Sequence, residues 1–155
     1  MKKIVVLTML AIALLVVMPA TSNAQNGKKC DSAGVILNCI MTRTSIRAYQ
    51  GKTVEKEKVE KILRAGMAAP SAMNKQPWAF VVVTNKELLT KIGMNLRNAG
   101  MTAKAPMAIV VCGDTKKMIS GGGKDFWIDD CSAATENILL AAHAICSKEG
   151  HGFKK

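Results

Sequence analysis

Two short segments carry side chains that could do chemistry. The first is R-T-S-I-R, Arg43 to Arg47, in which Arg43, Ser45 and Arg47 alternate. In an extended backbone, alternate residues point to one side. Two guanidiniums and a hydroxyl on one side suit a phosphate or another anion. The same residues would also make an exposed basic loop, and spacing does not separate the two. The second segment is A-P-S-A-M-N-K-Q-P-W, Ala69 to Trp78, which runs into A-F-V-V-V. Pro70 and Pro77 stiffen it at both ends. Ser71, Asn74 and Gln76 offer donors and acceptors at close range. A primary amide gives two donors and accepts at its oxygen, which matches the alternating edge of a heterocycle. The plainer alternative is that these side chains only tie down a turn.

Other chemistries lack their residues. Gly123-Lys124 is followed by Asp125 rather than Ser or Thr, and Met118 stands where a phosphate-binding loop needs its first Gly. There is no G-x-S-x-G, so a nucleophile elbow has no support. His143 and His151 have no Cys or carboxylate partner at metal-ligand spacing. His143 lies on an apolar helix and is expected to be a partly buried structural residue.

The elements that must position the two segments are legible from periodicity. V-I-L-N-C-I-M-T-R places Val35, Ile36, Cys39 and Ile40 at helical spacing, with Ser32 as a possible cap. T-V-E-K-E-K-V-E-K-I-L-R-A-G-M-A-A predicts an amphipathic helix capped by Thr53, with Val54, Val59, Ile62, Leu63 and Met67 on its apolar face and Pro70 at its end. W-A-F-V-V-V-T predicts a buried strand between Pro77 and Asn85, and P-M-A-I-V-V-C-G-D a second one. Between them N-K-E-L-L-T-K-I-G-M-N-L-R predicts a helix capped by Asn85. A Gly-containing loop, T-K-K-M-I-S-G-G-G-K-D-F-W, leads into the apolar helix D-D-C-S-A-A-T-E-N-I-L-L-A-A-H-A-I-C. Helices alternating with short apolar strands predict a sheet covered by helices on both faces.

The chain has 155 residues and a formal net charge of +11. M-K-K, an unbroken apolar run and T-S-N-A, with Ser22 and Ala24 at the exit, predict a secretory signal peptide over residues 1–24. The alternative is a retained anchor, since the run is close to the ~17 residues that can span a bilayer. Cleavage would leave Gln25 as the first residue of an exported, periplasmic or secreted, protein. The remaining lysines are scattered and aromatics make up only 4% of the chain, so the basic balance reads as a solvated surface rather than a nucleic-acid interface. Five cysteines give no C-x-x-C pair; export permits a disulfide but does not specify one. Cys39, Cys112 and Cys131 sit in apolar runs and are expected to be small core residues. The resulting division is a signal over 1–24, a linker over 25–34, one domain over 35–146 and a polar tail over 147–155.

Taken together, R-T-S-I-R followed by P-S-A-M-N-K-Q-P-W entering a strand resembles the nitroreductase family of FMN-dependent NAD(P)H oxidoreductases, and I-D-D-C-S-A-A-T-E-N-I-L-L-A-A-H-A resembles that family's central helix. The resemblance covers about residues 35–145. It implies an α+β three-layer sandwich that forms a homodimer with FMN at the subunit interface. It implies that Arg43 and Ser45 hold the FMN phosphate and ribityl chain, that Thr44 contributes its backbone or hydroxyl, and that Arg47 lies near N1 and O2 of the flavin ring. Pro70, Ser71, Ala72 and Asn74 would come from the other subunit, with Gln76 supporting the turn. The partners implied are NADH or NADPH and a nitroaromatic, quinone or similar small acceptor, with no nucleic acid, no membrane after signal cleavage, no metal and no side-chain nucleophile. Relatives continue beyond the central helix, whereas here N-I-L-L-A-A-H-A-I-C runs into S-K-E-G-H-G-F-K-K. The expectation is therefore a fold lacking its C-terminal part. Two other readings stay open at this point: a non-catalytic remnant of the same fold, and a basic exported anion-binding module.

Overall fold

The computed structural model describes residues 32–148, with Ser147 and Lys148 described only as helical backbone. The expected signal peptide, Cys30 and residues 149–155 lie outside the described residues. The elements run α1 (Ser32–Thr42), α2 (Lys56–Met67), β1 (Trp78–Val83), α3 (Lys86–Asn95), β2 (Ala108–Gly113) and α4 (Phe126–Lys148). Short 3-10 turns at Ala72–Asn74, Gly100–Lys104 and Gly121–Gly123 lie in the connections. Every predicted element forms, with boundaries that shift. Ser32 to Gly34, placed in the linker by sequence, make the first turn of α1. α4 starts at Phe126, ahead of Asp129, and carries Ser147 and Lys148.

β1 and β2 pair antiparallel, with Trp78 opposite Gly113 and Val83 opposite Ala108. The fold is α+β, and the sheet has two strands among the described residues. Trp78 packs with Ala69, Cys131 and Ala134, joined at the edge by Phe80, Val111, Trp127 and Ala133. The core therefore lies between one face of the sheet and α4, with α2 packed along α4. The strands are not buried throughout, as their all-apolar sequence predicts. Val81 and Val110, opposite each other in the register, are 50% and 38% exposed. An unbroken Val/Ile run marks a strand but does not say which face is covered.

α2 shows two departures from the sequence pattern. Thr53 does not cap it; Glu55 holds the cap position in extended backbone with no side-chain cap bond. Glu55 instead pairs with Lys58 at 2.8 Å. On the buried side, Ile62 and Gly66 are enclosed and Met67 is exposed. Gly66 lies where a Cβ would come within 2.9 Å of Ile138 Cγ1 and 3.0 Å of Phe80 Cζ, so its missing side chain admits α4 and β1. α3 begins as predicted, with Asn85 Oδ1 accepting from the Leu88 N–H at 3.0 Å.

Of the described cysteines, Cys131 is buried, Cys39, Cys112 and Cys146 are half-buried, and all four are free thiols. His143 is half-buried as expected, and its Nε2 lies 3.1 Å from Thr42 Oγ1, tying α4 to the end of α1.

Candidate functional site

The polar turn grows out of the end of α2. The Ala68 N–H donates to Arg64 and Ala65 carbonyls and the Ala69 N–H to Gly66, closing the helix before Pro70. The chain then enters the Ala72–Asn74 turn. Met73, Asn74 and Gln76 all have positive φ, at 52°, 54° and 47°. Left-handed backbone costs an L-residue about 1–2 kcal/mol, and no glycine is present here to relieve it. Side chains and backbone hold the shape instead. Ser71 Oγ accepts from the Gln76 N–H at 2.9 Å, and the Ser71 carbonyl from the Asn74 N–H at 3.0 Å. Gln76 Nε2 donates to Asn74 Oδ1 at 3.1 Å. Pro77 is fully buried, and its carbonyl accepts from the Asp114 N–H beyond the end of β2, so the turn is pinned to the sheet.

The turn thus unites Ser71, Ala72, Asn74 and Gln76, as the sequence suggests. Pro70, Asn74 and Gln76 are exposed, and Ser71 and Ala72 half-buried. No hydrogen bond of Asn74 Nδ2 or Gln76 Oε1 is found among the described residues. The turn has a third anchor that sequence reasoning missed. The Ala72 N–H donates to Asp130 Oδ1 at 2.8 Å, and Asp130, on α4, is only 7% exposed. The bond spans fifty-eight positions and ends on a backbone amide, so neither motif nor spacing could announce it.

The basic segment follows α1 as irregular chain. Arg43 Nε lies 3.4 Å from Glu136 Oε1 on α4. Thr44 Oγ1 donates to the Thr42 carbonyl at 3.1 Å. Ser45 and Arg47 are exposed, and Arg47 makes no ion pair among the described residues. No hydrogen bond or ion pair among the described residues joins this segment to the turn. Both contact α4, at Glu136 and Asp130. Six helical residues separate those stations by about 9 Å along the axis and about 120° around it.

Cys131 follows Asp130 on α4, and its thiol donates to the Cys112 carbonyl of β2 at 3.7 Å. Burial first, then the neighbouring Asp130 and Cys112, push its thiol up from the ordinary 9.0, so it stays protonated and unreactive at neutral pH.

Comparison with known proteins supplies the context for this geometry. Residues 40–99 match the model of the nitroreductase family. A protein of Archaeoglobus fulgidus, provisionally named NADH dehydrogenase/NAD(P)H nitroreductase, is 50% identical over 109 residues, 70% of this chain and 62% of its own length. A solved structure of the same provisional name from Parabacteroides distasonis shares 44% identity with a TM-score of 0.66, over 71% of this chain and 62% of that one. A provisionally named nitroreductase of Desulfovibrio desulfuricans, solved in complex with FMN, shares 35% identity with a TM-score of 0.64, over 71% of this chain and 63% of that one. The chain thus spans about three fifths of the length of these relatives. The family match runs through the basic segment and the polar turn, and the likeness of fold extends over most of the described residues. The chain belongs to the nitroreductase family.

Proposed function

We propose that this chain is an FMN-dependent oxidoreductase that passes hydride from NADH or NADPH to a small acceptor of the nitroaromatic or quinone class. The observation that carries the reading is the turn. Three left-handed residues, held by Ser71, by the Asn74–Gln76 bond and by Asp130, carry two exposed amide side chains side by side. That donor and acceptor set fits the edge of a flavin ring, and the related Desulfovibrio protein was solved with FMN. Bound there, FMN would supply two-electron hydride exchange between nicotinamide and acceptor.

The chain's own residues do the holding. Among the described residues the Arg43 side chain is tied to Glu136, half exposed, and such surface pairs contribute about 0–1 kcal/mol. A phosphate can therefore take the guanidinium at little cost. Ser45 and the Thr44 backbone lie beside it in sequence and are assigned to the same anion. Arg47, exposed and without an ion pair among the described residues, is assigned to the pyrimidine end of the ring, where a fixed cation opposes the negative charge that develops on reduction. Pro70, Ser71, Ala72, Asn74 and Gln76 are assigned to the ring itself. Because the two segments meet α4 at separate stations, we assign them to two different sites of a homodimer, each site built from one segment of each protomer.

Titration of the purified, cofactor-free protein with FMN, followed by flavin fluorescence and then by nicotinamide consumption with a nitroaromatic acceptor, tests the reading. Saturable binding of one FMN per chain and acceptor-dependent consumption are expected. A folded chain that leaves FMN fluorescence unchanged would overturn it.

A further inference from the structure

We propose that Asp130 is a positioning residue for the flavin-binding turn, acting with Asn137 as a two-point clamp that α4 places on the α2–β1 connection. This rests on the reading of the turn as flavin-binding. Asp130 Oδ1 accepts from the Ala72 N–H at 2.8 Å. Asn137 Nδ2 donates to the Ala65 carbonyl at 3.1 Å. The two α4 residues are seven positions apart, and so are their two targets. Seven residues make almost two helical turns, so Asp130 and Asn137 lie on one face about 10 Å apart. One grips the last turn of α2 and the other the first residue of the 3-10 turn. Between these points the chain leaves the helix, and the left-handed backbone begins directly after the second, at Met73.

The chemistry of Asp130 sets it apart from a packing residue. Among the described residues it is the one buried charged side chain. Burying a carboxylate is costly unless a partner compensates it, and a buried charge is usually met by a cation. Here no Lys or Arg pairs with it among the described residues; its hydrogen bond goes to a single backbone amide in the turn. That amide begins the stretch in which Met73, Asn74 and Gln76 take conformations they would not keep alone. Such strain persists only where the surroundings over-determine it. The local bonds, Ser71 to Gln76 and Gln76 to Asn74, tie the turn to itself. The bond to Asp130 ties it to the core. What the clamp requires at position 130 is an acceptor oxygen at one place; charge is secondary.

Three variants and one control test this in the full chain. Asp130→Asn keeps an acceptor oxygen in place and is expected to hold FMN affinity near the wild-type value. Asp130→Ala removes it and is expected to weaken FMN binding about tenfold or more, with faster hydrogen exchange at the Ala72 amide in the cofactor-free protein. Asp130→Glu keeps the charge but moves the oxygen, and is expected to behave like Ala; it also serves if the Ala variant does not fold. Leu89→Ala, in the fully buried position of α3, lowers stability away from the turn and should leave FMN affinity of the folded protein unchanged. Wild-type affinity in the Ala or Glu variant, or an equal loss in Leu89→Ala, would overturn the positioning role. If the wild type itself binds no FMN, the flavin reading fails, while the Ala72 exchange rates, fast in Ala and slow in Asn, still decide the clamp.

Discussion

Cys131 and Asp130 are chain neighbours, and both are buried. Burial and the adjacent carboxylate both resist a thiolate at Cys131, so its pKa lies above the 9.0 of an ordinary thiol. The folded state therefore keeps this proton at pH values where the unfolded chain has lost it. The unfolded state then binds fewer protons, and stability falls as pH rises past 9.0. Below that pH the group contributes no slope. We expect unfolding free energy to decline above pH 9.0 more steeply in the wild type than in Cys131→Ala. Urea titrations of both proteins across this range check it, and parallel pH profiles would refute it. At this scale the sequence revealed the site only in part. Ser71, Asn74 and Gln76 were legible because the bonds that shape the turn use their side chains. The left-handed backbone at Met73 was not, because no glycine marks it. Asp130 was hidden because its partner is a backbone amide, which every residue but proline carries.

The elements were legible wherever apolar periodicity and a stop signal coincided, as with Asn85 before α3 and Pro70 after α2. What sequence could not assign was the close approach between elements. Gly113 ends β2 opposite Trp78, and the ring of Trp127, at the start of α4, fills the space where its side chain would be. A Cβ there would collide with ring carbons of Trp127, which cannot yield by a rotation at a flexible tip. Gly113→Ala should therefore destabilise the protein by about 1–3 kcal/mol through overpacking. The displaced Trp127 should also show as a changed near-ultraviolet circular dichroism band. An unchanged or raised denaturation midpoint would contradict this packing. By the same logic the exposed Met67 and the buried Gly66 exchange the roles that amphipathic spacing gave them. Spacing finds the face of α2, but the room for Ile138 of α4 is left by the residue with no side chain.

At the scale of the molecule, the helix-covered sheet was legible in the alternation of elements and the α+β class in the family resemblance, but α1 has little cover among the described residues. Val35, Ile36, Leu37, Ile40 and Met41 are each half or more exposed, and no residue of α1 is buried. Its specific bonds to α4 are few: the Cys39 thiol to the Leu140 carbonyl and Thr42 to His143, followed by Arg43 to Glu136 just past its end. An apolar helix this exposed among the described residues supports the proposed homodimer, since a contiguous apolar patch is a candidate association surface. It leads directly into the Arg43–Arg47 segment, which the proposed homodimer sets beside the partner's polar turn. Association and cofactor binding should then fail together. In Ile36→Glu/Leu37→Lys, two exposed apolar side chains become charged, with no loss from the core between α4 and the sheet. Light scattering should show a dimer for the wild type and a monomer for the variant. FMN affinity should fall at least about tenfold, or about 1.4 kcal/mol, although neither residue belongs to the assigned site. Circular dichroism should keep the wild-type helical signal. A monomeric variant that binds FMN at full strength would mean that one chain completes the site alone, with the turn and the basic segment meeting around α4 rather than across two subunits.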